Sequence, residues 1–370
     1  MRGIQDGRVH RKRCQSSGSE AWLKPADAIR AYAGVMVVTI HVAAYLVTRL
    51  GSMPASWWWV ANLADAFARP AVPLFFMLSG MLLLDPAKRE PVRVFLWKRA
   101  RRVGLPLIFW SVVYMLWRVF FHGQTITWKS GVARLIDGRT YSGFAFMYVL
   151  LGLYLATPVL RVYVRHASRK NLLYLIAVWF VLVPLSALFS RFSGIEVAVQ
   201  SVVALDYVGY YLLGHLFRDV KLGRRATWTA AGGVVLLTGI VASGTALLST
   251  PESLDTTLYS YLGPAVVLMS ILVFLILKSL PFGTAYARFP VAERAVGFVG
   301  SAALTIYFLN YLLLECLMAG CLGFALSGWF VHPLLGIPLT VLAVVGIAAV
   351  AHAFLSRLPA LRWLVGEAPR

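Results

Sequence analysis

The sequence predicts an all-α integral membrane protein, a bundle of about ten transmembrane helices. Three observations carry that prediction. The 370 residues are 59% hydrophobic and 14% charged, against roughly 25% charged in soluble domains. The mean hydropathy is +0.74. Apolar runs of about 20 residues, the length that crosses a hydrocarbon core, recur along the whole chain with short polar connections. Strand-like alternation is missing, which argues against a transmembrane barrel. The composition excludes soluble enzymes and disordered or fibrous chains, and it leaves little room for an extramembrane domain.

Taken in order, residues 1–27 are polar and basic and read as a flexible cytoplasmic tail. The spans then fall at 29–48, 66–84, 103–121, 144–164, 171–190, 200–217, 227–249, 258–280, 297–320 and 334–356. Together 28–357 form the membrane domain, and 358–370 form a second cytoplasmic tail. The first apolar run is too long for the core of a cleaved signal and lacks a small-residue cleavage site. The second span is the least regular, because it opens near Arg69 and holds Pro70 and Pro73. Three cysteines, Cys14, Cys316 and Cys321, are too few and too poorly spaced for a disulfide framework or a zinc site, so no metal is expected.

The net charge is +20 and the pI about 10.3. In a soluble chain that balance would suggest nucleic acid. Here the basic residues occupy short connections, where they set topology and meet anionic lipid headgroups or anionic cofactors. Nucleic acid is therefore not an expected partner, and membrane lipid is. With the N-terminus inside, 28 of the 35 Lys and Arg fall on the cytoplasmic side and 5 outside, while Arg69 and Arg118 lie within spans. That asymmetry predicts an even number of spans with both termini cytoplasmic.

Polar residues inside spans need a reason, since each costs several kcal/mol there. In the first span Arg30 and His41 are eleven residues apart, which places them on one helix face about 16 Å apart along the axis. A core histidine bonded to a neighbouring helix is the plain alternative for His41, and a snorkelling arginine is the plain alternative for Arg30. The run from Arg69 to Gly80 contains Pro70, Pro73 and the pair Ser79-Gly80, which permits close helix approach. Asp206 is a charged group that could partner Arg69. The loop holding Lys98, Arg99, Arg101 and Arg102 before Pro106 is dense enough to bind phosphates as well as to set topology. Glu315 near an outer helix end is expected to face water. Phosphate-cradling glycine loops, metal-ligand spacings and nucleophile elbows are missing, which excludes a pump driven by a phosphate-binding loop.

The sequence resembles the membrane-bound acyltransferase family 3, bacterial O-acyltransferases of surface glycans. The first-span pair Arg30 and His41, the Arg69-to-Gly80 stretch, the basic segment ending in Arg102 and Pro106, and the run Tyr148 to Pro158 carry the resemblance. It covers about residues 24–356. The resemblance implies acyl transfer from cytoplasmic acyl-CoA, acetyl-CoA by default, to a hydroxyl of a cell-envelope glycan or lipid-linked sugar at a bacterial inner membrane. It implies His41 as general base beside Arg30, with Arg30, Lys98, Arg101 and Arg102 on the CoA phosphates. Arg69, Ser79, Tyr148 and Asn310 would orient the acceptor or the carbonyl. One departure stands out: Asn310 occupies a position where the family usually has histidine. Asparagine keeps hydrogen bonding but does not titrate near neutrality. A transporter or flippase of an envelope precursor, or a non-catalytic partner in glycan synthesis, uses the same polar residues differently and stays open at this point. So do glycan-assembly proteins, or a second copy of the chain, as partners.

Overall fold

The computed structural model describes residues 3–85, 87–138, 140–194, 206–282 and 288–367, with side chains from Lys24 onward except Ser142. Among the described residues the chain is helical throughout and contains no strand. A backbone in hydrocarbon must satisfy its own polar groups, and helices do so within one segment. The helices are α1 (Gly3–Val47), α2 (Ala55–Ala68), α3 (Ala71–Leu83), α4 (Val92–Arg99), α5 (Leu105–His122), α6 (Trp128–Ile136), α7 (Ala145–His166), α8 (Arg169–Phe180), α9 (Ser186–Ser193) and α10 (Val208–Leu216). They continue with α11 (Arg224–Leu248), α12 (Pro264–Ser279), α13 (Pro290–Met318) and α14 (Pro333–Arg357). Nine segments among the described residues are long and apolar enough to cross a membrane.

The expected sixth span at 200–217 is represented by the nine residues of α10, and positions 200–205 lie outside the described residues. Its ends still fix its direction. The tips of α9 and the α11–α12 connection meet through Arg191 and Asp255. The far end of α10 meets the end of α3, where Arg218 pairs with Asp85 at 3.0 Å. α10 therefore ends at the opposite end of the bundle from the tip of α9. The ends of α3, α7, α10, α12 and α14 gather with the starts of α1, α5, α11 and α13 at one end of the bundle, called here the basic end.

Two other boundaries differ from expectation. The second crossing begins at Ala55, not residue 66, and Arg69 sits in its middle, at the break between α2 and α3. The stretch holds Asn62, Asp65 and Arg69. They satisfy one another and their neighbours inside the protein, so they do not end the span. The third crossing begins at Val92, and the basic run is no loop. Residues Ala100–Gly104 form a π-helical turn that joins α4 to α5.

α1 runs along α2, α3, α13 and α14. The closest approach is between α3 and α10, which run in the same direction. A Cβ placed on Gly80 would lie 1.8 Å from the Tyr211 carbonyl oxygen, and one on Gly214 would lie 1.8 Å from that of Met77. Each glycine thus faces the other helix's backbone, the small-residue contact that lets membrane helices touch. Two basic residues that count toward topology cap helix ends instead. The buried Arg161 donates from Nε to the Leu83 carbonyl at 2.7 Å. The buried Lys278 donates to the carbonyls of Phe217 and Arg218 at the end of α10.

Gly80→Ala should force α3 and α10 apart, with a stability loss of about 1–3 kcal/mol or more, read as a fall in the thermal unfolding midpoint in detergent. Glycine-to-alanine at Gly239, whose Cβ would meet open space, is the control. The Asp85–Arg218 tie gives a pH signature. Partial burial opposes the Asp85 carboxylate, but hydrogen bonds from Arg218 and the Ala87 amide, with the charges of Arg218 and Lys88, hold its carboxyl below the ordinary aspartate range. A depressed folded value means the stabilisation is complete above the unfolded value near pH 4 and is lost as pH falls through the folded one. Wild type should exceed Asp85→Asn by up to about 1 kcal/mol at neutral pH, and the two should converge in acid.

Candidate active site

The candidate site is a series of cavities strung along α1. Residues spaced eleven apart on a helix share a face, and Arg30 and His41 open onto successive cavities along that face. At the basic end lies an open cavity of about 530 Å³ whose lining includes Trp97, Lys98, Arg99, Arg101, Arg102 and Trp363. Arg99 and Arg102 also line the next cavity inward, of about 170 Å³, together with Arg30, Ser79 and Tyr154. The following cavity, about 290 Å³, holds His41 among Val37, Phe76, Tyr207, Tyr261 and Tyr307.

Phe146 and Tyr307 line both of the inner cavities and stand between them. Their rings are 5.4 Å apart. Phe146 is held by Phe76 at 4.8 Å and Phe75 at 5.7 Å. Tyr307 donates its hydroxyl to the Gly143 carbonyl, which ties α13 to the start of α7. The partition is thus fixed from three helices.

Around Arg30 the charge is partly balanced: its guanidinium meets Asp27 at 2.6 Å. Lys98 pairs with Glu90. Arg101 reaches only the outermost cavity, with its guanidinium 5.7 Å from the Trp97 ring. Arg99 takes the inner place, stacked near Phe95 and Tyr154 at 5.6 and 5.9 Å. Its Nε is buried with no hydrogen-bond partner. Arg99 and Arg102 are three residues apart and share a helix face, a signal the spacing already contained.

Arg69 is largely buried and pairs with Asp65, one helical turn earlier, at 2.7 Å. Asp65, and not Asp206, is its partner; the Asp206 backbone carbonyl accepts from Trp179 at 2.7 Å. The Arg69 guanidinium stacks over Tyr259 at 4.2 Å and Tyr261 at 5.7 Å. Tyr259 in turn donates to Asn62 Oδ1 at 2.5 Å, and Asn62 donates to the Ala242 carbonyl at 2.9 Å. Since Tyr261 lines the His41 cavity, this network stands behind one of its walls. Arg69 therefore reaches the cavity through Tyr261.

The remaining expected residues lie elsewhere. Ser79 is in the inner arginine cavity, on the far side of the Phe146–Tyr307 partition from His41. Tyr148 donates to the Leu135 carbonyl at 2.5 Å and holds the turn after α6. Asn310 is buried, donates to the Tyr307 carbonyl at 2.6 Å and lines none of these cavities. It braces the helix turn that carries Tyr307. Glu315 does not simply face water. It is largely buried and accepts from Trp117 Nε1 at 2.6 Å, with His122 at 3.2 Å. The segment after α14 packs too, because Trp110 donates to the Leu364 carbonyl at 3.2 Å and Trp363 walls the outer cavity.

The family profile described as an acyltransferase domain matches residues 25–352. This chain belongs to acyltransferase family 3. The match covers the cavity-bearing helices from α1 to the last turns of α14, so the acyltransferase is a multi-pass membrane protein; the segment after α14, which supplies Trp363 and Val365 to the cavity walls, lies beyond it. No curated protein and no solved structure matches the chain.

The acyltransferase should depend on the Asp65–Arg69 pair. Asp65→Asn leaves Arg69 as an uncompensated buried charge, a loss of about 3–5 kcal/mol. The apolar double variant Asp65→Leu/Arg69→Met should recover much of that loss in thermal unfolding, which separates the cost of an orphaned charge from the value of the pair.

Proposed function

We propose that this acyltransferase moves an acyl group from acyl-CoA, by default acetyl-CoA, to a sugar hydroxyl of a cell-envelope glycan, polymeric or lipid-linked, with His41 as the general base. The observation that carries this reading is that Arg30 and His41 line consecutive cavities that share Phe146 and Tyr307 as wall residues. The outer cavity offers Lys98, Arg99, Arg101 and Arg102 to the CoA phosphates, for which the planar guanidinium fork is suited. Trp97 and Trp363 offer ring faces to the adenine. The narrower cavity, lined largely by apolar side chains, takes the pantetheine arm past Arg30. The basic excess on this end makes it the cytoplasmic face of a bacterial inner membrane, with both termini inside.

The chemistry then follows from the residues. A neutral imidazole at His41 accepts the proton of the acceptor hydroxyl as its oxygen attacks the thioester carbonyl. The C–S bond breaks as the C–O ester bond forms. The thiolate leaves as CoA and takes the proton back from the imidazolium. The network of Asp65, Arg69 and Tyr261 fixes the cavity wall opposite, where developing negative charge on the carbonyl oxygen is favoured by the arginine's field.

Purified protein with radiolabelled acetyl-CoA tests this. Wild type should consume the thioester and release CoA. His41→Ala should lose about 10²–10⁴-fold in kcat while unfolding at the wild-type temperature. Arg30→Ala and Arg102→Ala should raise the donor KM about tenfold or more, the scale of a lost charge-assisted hydrogen bond. Folded wild type that neither binds nor consumes acetyl-CoA or longer acyl donors would refute the reading and favour transport of an envelope precursor.

A further inference from the structure

Two cysteines flank the end of α13. Cys316 lies in its final turn and Cys321 just beyond it. A step of five residues turns a helix through about 500°, so in a continuous helix the two side chains would point about 140° apart. The chain does not continue as a helix. Gly320 has φ +74°, the left-handed conformation that glycine adopts without strain. Its N–H donates to the Leu317 carbonyl at 3.3 Å, and the Cys321 N–H reaches back to the Cys316 carbonyl at 3.0 Å. This is the glycine-capped helix end in which the residue after the glycine folds back over the one five before it, so that their side chains meet. Here both positions are cysteine, and the two thiols interact. The Leu326 N–H also returns to the Leu317 carbonyl at 2.9 Å, which holds the reversal from the far side.

The place of this turn decides its chemistry. α13 begins at the basic end and crosses the membrane, so its last turn lies at the opposite end. With the basic end in the cytoplasm, that is the outer face. Thiols stay reduced in the cytosol and become oxidised in the bacterial periplasm. Cys321 is exposed and Cys316 half-buried, so the pair can be reached from outside. The same end of α13 carries Glu315, which accepts from Trp117 of α5. One turn earlier it carries Tyr311, whose ring stands 6.3 Å from the His41 imidazole. Both residues line a cavity of about 210 Å³ at this end of the bundle, together with Tyr141. Helix ends are the first parts of a fold to open, and opening here would loosen that wall.

We propose that Cys316 and Cys321 form a disulfide on the outer face, and that this bond holds the end of α13 that carries Tyr311 and Glu315. The proposal rests on the membrane orientation given with the acyltransferase reading, but it needs neither acyl donor nor acceptor. The oxidant is a protein disulfide of the outer compartment. The exposed Cys321, as its thiolate, attacks one sulfur of that disulfide, which opens to a mixed disulfide as the oxidant's other sulfur leaves. The Cys316 thiolate then attacks the Cys321 sulfur. The bond to the oxidant breaks as the bond between the two residues closes. Two thiols have given up two protons and two electrons, and the oxidant's disulfide has been reduced to a dithiol.

The full-length chain in a bacterial inner membrane tests this. Cells are quenched in acid, the protein is denatured in N-ethylmaleimide, and adducts are counted by intact mass with and without prior reduction. The chain has three cysteines. Wild type should take one adduct, on Cys14, without reduction and three after it. Cys316→Ala should take two in both states. In that variant a membrane-impermeant maleimide should label Cys321 on intact spheroplasts, which reads the face independently. On purified protein, reductant should speed backbone hydrogen exchange severalfold across residues 316–326, and the Cys316→Ala/Cys321→Ala variant should not respond. Three adducts on unreduced wild type would overturn the bond. An impermeant label that fails to reach Cys321 overturns the orientation, and the proposal with it. Exchange that reductant leaves unchanged overturns the role at the helix end. No thioester is present in any of these measurements, so each result is separate from a failure of acetyl-CoA turnover.

Discussion

A charge within a bilayer must find its partner inside the protein, and the Asp65–Arg69 pair is where this chain meets that requirement most acutely. The pair occupies the middle of a crossing, at the break between α2 and α3. One partner without the other would be an uncompensated charge at low dielectric. Satisfying both draws in Tyr259 and Tyr261 from the start of the α12 crossing, and Asn62 with α11 behind them. The wall of the His41 cavity is therefore assembled by an electrostatic demand, not by apolar packing alone. The position of α3 follows from the same break. Its parallel contact with α10 through Gly80 and Gly214 then sets the depth at which Ser79 and Phe76 meet the cavities.

Much of this architecture was legible in the sequence because hydropathy and helical spacing are local quantities. The crossings, the shared face of Arg30 and His41, and the close contact at Ser79-Gly80 all follow from short-range rules. What escaped was pairing across distance. The sequence places the second span at 66–84 and misses its start at Ala55, where Asn62 and Asp65 find partners 180 residues away at Ala242, 197 away at Tyr259 and four residues on at Arg69. Glu315 read as solvent-facing because nothing near it in sequence predicts Trp117 and His122. The basic run reads as a loop, yet Ala100–Gly104 form a π-helical turn inside a continuous crossing, with Arg99 and Arg102 lining the inner cavity and Arg101 outside it.

The count of basic residues from which the topology is predicted also mixes roles. Arg161 and Lys278 belong to the excess at one end, but each terminates a helix by donating to its last carbonyls. Arg99 and Arg102 belong to it as well and line two cavities. A single charge can orient the chain during insertion and later serve a local bond, since the two demands act at different stages and ask for the same side of the membrane. Asn310 shows the converse economy. It is a side chain that does not titrate and braces the Tyr307 turn, so the partition residue is supported without a proton to exchange.

The layer formed by Phe146 and Tyr307 has a bearing on the cell's energy supply. Cavities that reach inward from both ends of a membrane protein are a hazard to the ion gradients across it, because a continuous file of water conducts protons. Two aromatic rings 5.4 Å apart, one packed by Phe75 and Phe76 and the other tethered by its hydroxyl, stand in the path of such a file. On the other side of His41, Tyr141 and Tyr311 repeat the arrangement. The imidazole of His41 thus has an aromatic layer on each side of it, and both layers oppose the movement of water between the two compartments.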